Sequence, residues 1–299
     1  MPAGDGNAQS GTVQFGAIGD TAYSKRGEQE FDRMLDAINK ESLAFVVHVG
    51  DFEADPRPYA RNPDRISMPC TDDSFRRVLA SFQRSANPFI LTPGDNDWTD
   101  CHLLKAHKVD PLERLVKLRE MFFPDGSSLG RKTMPVQSQA KDAGFDAEHV
   151  ERTAANIAWL KKAFAAAKAS NAPGLVLMTQ ANVGFESHWT PSLKARYVRS
   201  AGAQPPKETK PTGYDQFVNA LADEMEGFGK PTVFIHGDTH LYRINKPLLS
   251  KKSKRFFQNF TRIEVFGDPD THWVRVTVDP ANPGLFTAEP AIVRENHPN

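Results

Sequence analysis

Several things are scarce in this sequence. Its 299 residues include two cysteines, and no apolar run approaches the roughly 18 residues that a membrane-crossing helix needs. Basic and acidic residues balance at 37 each, so no global field draws the chain to nucleic acid or to an anionic membrane. The sharpest local charge run, KKSKR at 251–255, reads as a solvated loop. No GxGxxG follows the first apolar run, which argues against a dinucleotide-binding unit. The opening MPAGDGNAQSG has neither the basic end nor the apolar stretch of a signal peptide, and residues 1–12 are expected to form a flexible lead-in.

The two cysteines lie in the polar contexts MPCTDD (Cys70) and WTDCHL (Cys101), outside any CxxC or other metal-type spacing. Two readings stay open. A loop-to-loop disulfide favours a periplasmic or secreted protein, and two free thiols favour the cytoplasm.

What is present is an ordinary globular composition, 39% apolar and 25% charged. The apolar stretches recur in order. TVQFGAIGD, LAFVVHVGD and NPFILTPGD read as strands, separated by helical stretches around EQEFDRMLDAINKES and SFRRVLASFQRS. PLERLVKLREMFF continues the alternation. ERTAANIAWLKKAFAAAKA is an amphipathic helix with Ile157, Leu160 and Phe164 on one face. GLVLMTQ is a fourth strand, YDQFVNALADEMEGF a helix, and PTVFIHGD a fifth strand. TRIEVFG and HWVRVTVD look like a closing antiparallel pair. Continuous Val/Ile/Leu/Phe runs alternating with helices imply an α/β architecture with buried parallel strands. Residues 124–150 and 186–212 lose periodicity and read as loop excursions from a single domain spanning 13–299.

In an open α/β sheet ligands bind beyond the carboxyl ends of the strands. Those ends deliver Asp20 and Tyr23, then Asp51, then Asn96 and Asp97, then Gln180 and Asn182, and finally His236, Asp238 and His240. A single Gly-Asp is an ordinary turn. Five successive ends carrying oxygen or imidazole donors point to a cation, because crowded carboxylates repel without one. His48, inside the second strand, and Trp98, after the third turn, read as core residues.

The order and spacing of these ends resemble the calcineurin-like metallophosphoesterases, which include the purple acid phosphatases. That family's pattern is Asp-x-His, Gly-Asp, Gly-Asn-His, a His after the fourth strand, and Gly-His-x-His, and the resemblance spans roughly residues 13–280. It implies a four-layer α/β/β/α sandwich of mixed sheets, with a metal site at the carboxyl ends of the strands. It also implies two metal ions per chain and a small-molecule phosphate ester as substrate. Asp20 stands at the first Asp, with Ala22 where its paired His belongs. Tyr23, three residues on, is a candidate ligand by analogy with the tyrosine of purple acid phosphatases, although there the tyrosine follows the second Gly-Asp. Asp51 stands at the bridging carboxylate and Asn96 at the Asn ligand. Asp97 replaces the His that assists the leaving group. Gln180 or Asn182 replaces the fourth-motif His, Asp238 the first His of the last motif, and His240 matches the second.

The resemblance therefore implies a first pocket of Asp20, Asp51 and His240 with Tyr23. A second would join Asp51 to Asn96, Asp238 and an amide from Gln180 or Asn182. Such oxygen-rich sets favour Mn²⁺, Mg²⁺ or Fe³⁺ over Zn²⁺. Asp97 is the candidate leaving-group acid, with His102, His188 and His236 as alternatives, and Asp51 carries the bridging role. The competing expectation is a non-catalytic member of the same fold acting as a binding module, suggested by the loss of two family histidines.

Overall fold

Two β-sheets lie face to face between layers of helices in a computed structural model of the chain, which describes residues 11–55, 68–104, 109–136, 145–201 and 213–297. The strands are β1 (Val13–Ile18), β2 (Val46–His48), β3 (Phe89–Leu91), β4 (Leu175–Met178), β5 (Thr232–His236), β6 (Arg243–Asn245), β7 (Phe260–Glu264), β8 (Trp273–Val278) and β9 (Phe286–Ala291). The helices are α1 (Lys25–Ile38), α2 (Asp72–Phe82), α3 (Pro111–Phe122), α4 (Phe145–Ala169), α5 (Pro191–Ala201) and α6 (Asp215–Phe228). The first sheet has the order β3-β2-β1-β8-β9 and the second β4-β5-β7-β6. In each, three strands run parallel on one side of an antiparallel edge: β1, β2 and β3 in the first, β4, β5 and β7 in the second.

Helix starts follow local chemistry. The Ser24 hydroxyl accepts from the Gly27 N–H and the Thr71 hydroxyl from the Ser74 N–H, at 3.0 and 3.1 Å. Asp110 caps α3, which has Pro111 as its first residue.

Three apolar clusters divide the layers. Phe15, Ala17, Val47 and Val49 of the first sheet side meet Val233, Ile235, Ile263 and Val265 of the second. Outside the first sheet, Phe31, Leu35, Phe82 and Phe122 pack from α1, α2 and α3. Outside the second, Leu160, Phe164, Leu221 and Met225 pack from α4 and α6. The result is the expected α/β/β/α sandwich. Each such buried Phe or Leu stabilises it by about 1.5–3 kcal/mol.

Three expectations about the elements need correction. The stretches TRIEVFG and HWVRVTVD do not pair with one another. β7 joins the second sheet beside β5 and β6, while β8 joins the first beside β1 and β9. Residues 186–212 are not all loop, since 191–201 form α5, and 202–212 lie outside the described residues. The excursion at 124–150 is shorter: Leu129 bridges Phe89 at the sheet edge, and α4 begins at Phe145. Residues 137–144 of that excursion, and 1–10 of the lead-in, lie outside the described residues. Of the two cysteine readings, the bridge is the one found: Cys70 and Cys101 are joined, with Cα atoms 5.8 Å apart. No described helix is long and apolar enough to cross a membrane.

Candidate functional site

Apart from His236, which is the last residue of β5, each predicted donor lies past the end of its strand. Asp20, Asp51, Asp238 and His240 all adopt left-handed backbone, with φ of 50, 53, 82 and 59°. That conformation costs a non-glycine residue of order 1 kcal/mol, and such residues gather where a side chain must be aimed. Glycines make room for the carboxylates. A Cβ on Gly94 would meet Asp51 Oδ1 at 1.9 Å, and one on Gly237 would meet Asp20 Oδ2 at 2.1 Å.

The acids are buried and held by backbone donors. Both Asp20 oxygens accept from the Asp238 N–H, at 3.1 and 3.0 Å, which ties the first and fifth strand ends together. Asp51 Oδ1 accepts from the Asn96 N–H at 3.2 Å, and Oδ2 from the Gln180 side-chain amide at 2.8 Å. Asp97 is fully buried. Its Oδ2 accepts from the Asp51 and Gly94 N–H groups and its Oδ1 from that of Glu53, at 3.1, 2.8 and 3.1 Å. Asp97 thus clamps the turn that presents Asp51.

His48, expected in the core, is buried there and also braces two turns. Its Nδ1 accepts from the Gly50 N–H at 3.1 Å, so Nε2 carries the proton and faces the Thr21 carbonyl at 3.3 Å. Burial lowers its pKa to about 4, which keeps the ring neutral.

Electrostatically the cluster resists ionisation of its own acids. Burial pushes Asp20 up to about 7, against the pull of His240 and the Asp238 N–H. Asp51 is pushed well above the carboxylate range by burial, then by Asp97, Asp95 and Asp20. Burial also raises Asp97. Tyr23 is raised by burial and by the charges of Asp51, Asp20 and Asp97, and its hydroxyl is buried with no hydrogen-bond partner among the described residues. The Tyr23 and His240 rings lie 5.6 Å apart. His240 Nδ1 meets the Asp268 carbonyl at 2.7 Å and must donate there. Its Nε2 lone pair is left free, 3.9 Å from Asp20 Oδ1.

The donors expected for a second ion are engaged with each other. The Asn182 N–H donates to Asp238 Oδ2 at 2.8 Å, and Asn182 Oδ1 accepts from the Gly184 N–H at 3.2 Å. Gln180 directs an N–H at Asp51. Among the described residues no group of three His, Cys, Asp or Glu side chains is arranged to hold a metal ion. Asp20, Asp51 and His240, as placed, therefore do not converge as a ready three-ligand site. Of the alternative acids, His236 is fully buried and burial lowers its pKa to about 3, His102 Nδ1 meets the Thr99 carbonyl, and His188 Nε2 lies 3.1 Å from Asp215.

Sequence reasoning missed what supports the last turn. Glu264, fully buried at the end of β7, accepts from the Thr239 hydroxyl, from the Leu241 N–H and from the Arg243 guanidinium. Fully buried Arg262 donates to Glu186 Oε1 at 2.6 Å and to Asn245 Oδ1 at 2.9 Å. The available signal was the period-two spacing of Arg262 and Glu264 in TRIEVFG, which puts both on one strand face.

No protein-family model matches the sequence, and no curated protein matches it. Among solved structures the chain is similar to a structure of PhoD, at 14% identity and a TM-score of 0.49, over 90% of this chain. The chain spans 64% of the length of that PhoD chain. It is also similar to a dimetal phosphatase from Danio rerio, at 10% identity and a TM-score of 0.40, over 93% of this chain and 99% of the other. Likeness of this degree assigns no chemistry, which rests on the side chains described above.

Proposed function

We propose that the chain is a metal-dependent phosphoesterase of the calcineurin-like type, acting on a small-molecule phosphate ester, with Asp20, Asp51, Tyr23 and His240 as the side chains that would turn onto one ion when it binds. The observation that carries the reading is the Tyr23 hydroxyl, buried, unpartnered and surrounded by carboxylates. An unpaired buried hydroxyl costs about 1–3 kcal/mol, and buried acids without a counter-charge add to that cost. A cation satisfies both. Three oxygen donors and one imidazole suit Mn²⁺, Mg²⁺ or Fe³⁺ better than Zn²⁺. Asn96, Gln180, Asn182 and Asp238 form a weaker set, and we read any second ion as loosely bound.

When bound, such an ion supplies positive charge for the phosphoryl oxygens and acidifies water. The chain's own residues do the rest. Asp20 and Asp51 ionise in the presence of that charge, and Asp51 is kept in place by the Asn96 N–H and the Gln180 amide. His240 offers Nε2 because the Asp268 carbonyl fixes the proton on Nδ1. Asp97 we now read as a positioning residue, since its oxygens face three backbone N–H groups. The Cys70–Cys101 bridge supports a periplasmic or secreted setting.

One observation favours the second reading, a non-catalytic binding module: both Asp51 oxygens already accept protein hydrogen bonds. Loading with Mn²⁺, Mg²⁺ or Fe³⁺ and assaying 4-nitrophenyl phosphate separates the two. The enzyme reading expects turnover that Asp51→Asn lowers at least about 100-fold. Folded protein with no turnover under any of the three ions sinks it in favour of the module.

A further inference from the structure

Beside the acid cluster lies a cavity that the cluster does not use. It has a volume of about 470 Å³, within the roughly 300–1,000 Å³ of small-molecule pockets. It runs from the carboxyl ends of β3 and β4 into the space between α3 and α4. Leu91, Trp98, Leu118, Phe122, Trp159 and Met178 form its apolar walls. Its polar wall includes Arg119, Arg152 and Asn156, and no carboxylate is among the described residues that line it.

Its position in the chain ties it to the site. Thr92 and Pro93, also in the wall, lead directly to Gly94, whose N–H binds Asp97. Trp98 follows Asp97, and Met178 precedes Gln180 by two residues. The Arg152 guanidinium lies over the Trp98 ring, 5.4 Å from its centroid. Arg152 and Asn156 also border a smaller hollow of about 90 Å³ that reaches Thr179 and Tyr214. The Tyr214 hydroxyl, raised first by burial, feels the negative charges of Asp95, Asp238 and Asp51 and the positive charge of Arg152. Arg152 thus belongs to the wall of both hollows.

We propose that this cavity is a subsite for the alcohol portion of the ester, and that the portion it takes is a flat apolar group of the aryl kind. The inference rests on the acid cluster being the phosphoryl site. Flat aromatic walls gain most from a ring, through area burial and edge or stacked contacts. The polar part of the wall, Thr92, Ser127 and Ser128 with Arg119, Arg152 and Asn156, holds no carboxylate among the described residues, so the aromatic and aliphatic side chains are what single out a flat apolar group. The guanidinium groups match the negative phosphoryl oxygens, and Arg152 lies over Trp98 in the wall.

The test is a binding measurement that needs no turnover. Phenylphosphonate and methylphosphonate, which are not hydrolysed, are titrated calorimetrically into the full chain with Mn²⁺ present. Phenylphosphonate is expected to bind at least ten-fold more tightly. Asn156→Trp, at an exposed helical position on the cavity wall, is expected to bring that ratio close to one while leaving methylphosphonate unchanged. Arg152→Gln is expected to weaken both ligands about five-fold and keep the ratio. A ratio near one in the unaltered protein, a ratio that survives Asn156→Trp, or no binding of either phosphonate overturns the proposal. Retained discrimination without catalytic turnover leaves the subsite standing and removes only the catalytic reading.

Discussion

The molecule buries charge in two places, and the two differ in kind. Under the turns of β1, β2 and β3, Asp20, Asp51 and Asp97 are buried with hydrogen-bond donors but, among the described residues, no paired guanidinium or ammonium group. At the end of β7, Glu264 and Arg262 are just as buried, yet each meets an opposite charge, in Arg243 and Glu186. The second place is a closed account of charges that holds the 237–241 turn in shape. The first lacks a counter-charge and is strained electrostatically until something supplies one. That contrast sets a structural ion network against the proposed ligand site.

The largest effect is expected where the balanced network is broken. Arg262→Met leaves Glu186 without its main partner and should cost about 3–5 kcal/mol in chemical denaturation. Loss of under 1 kcal/mol would mean that the network is idle. Next, replacing Cys70 and Cys101 together by serine removes the staple that closes a 31-residue separation beside the Asp97 turn. The expected loss is about 3 kcal/mol.

The acid cluster should respond in the opposite sense. Asp20, at about 7 when folded against 3.8 when unfolded, holds its proton through a window where the unfolded chain releases it. Its contribution to stability is therefore present below pH 4 and lost as the pH rises to 7. Metal-free Asp20→Asn should gain on the unaltered protein across that window, by about 2 kcal/mol at pH 8. Burial alone would raise Glu186, but the hydrogen bond and charge of Arg262 hold it below its usual value. Its contribution is thus present above pH 4.5 and lost on acidification. Melting curves at pH 4, 6 and 8 check both signs. The smallest effect is Tyr23→Phe, which removes an unpartnered hydroxyl and should stabilise the metal-free protein by about 1 kcal/mol. A loss of stability would show that the hydroxyl is bonded after all.

Much of this was legible in the residues. The apolar runs ending in Gly-Asp located β1, β2, β3 and β5, because burial on both faces leaves little room for polar residues and a turn residue must follow. β9 was not legible, since FTAEPA has neither an apolar run nor clean alternation and carries Pro290. Nor was the sheet to which β7 and β8 belong, because each strand's pattern reports burial but not its neighbour. The donors Asp20, Asp51 and His240 were readable as strand-end residues. The clamp by Asp97 was not, because its partners are backbone N–H groups that leave no mark in the sequence. The pairing of Arg262 and Glu264 was not legible either, since their partners come from segments about 20 to 75 residues away.

The most direct test is the metal content of protein loaded with Mn²⁺ and freed of excess ion, measured for the unaltered chain, Asp51→Asn and Tyr23→Phe. The account predicts about one ion per chain, lost in Asp51→Asn and bound at least ten-fold more weakly in Tyr23→Phe. No bound ion in the unaltered chain, or an ion retained equally in both variants, would contradict it.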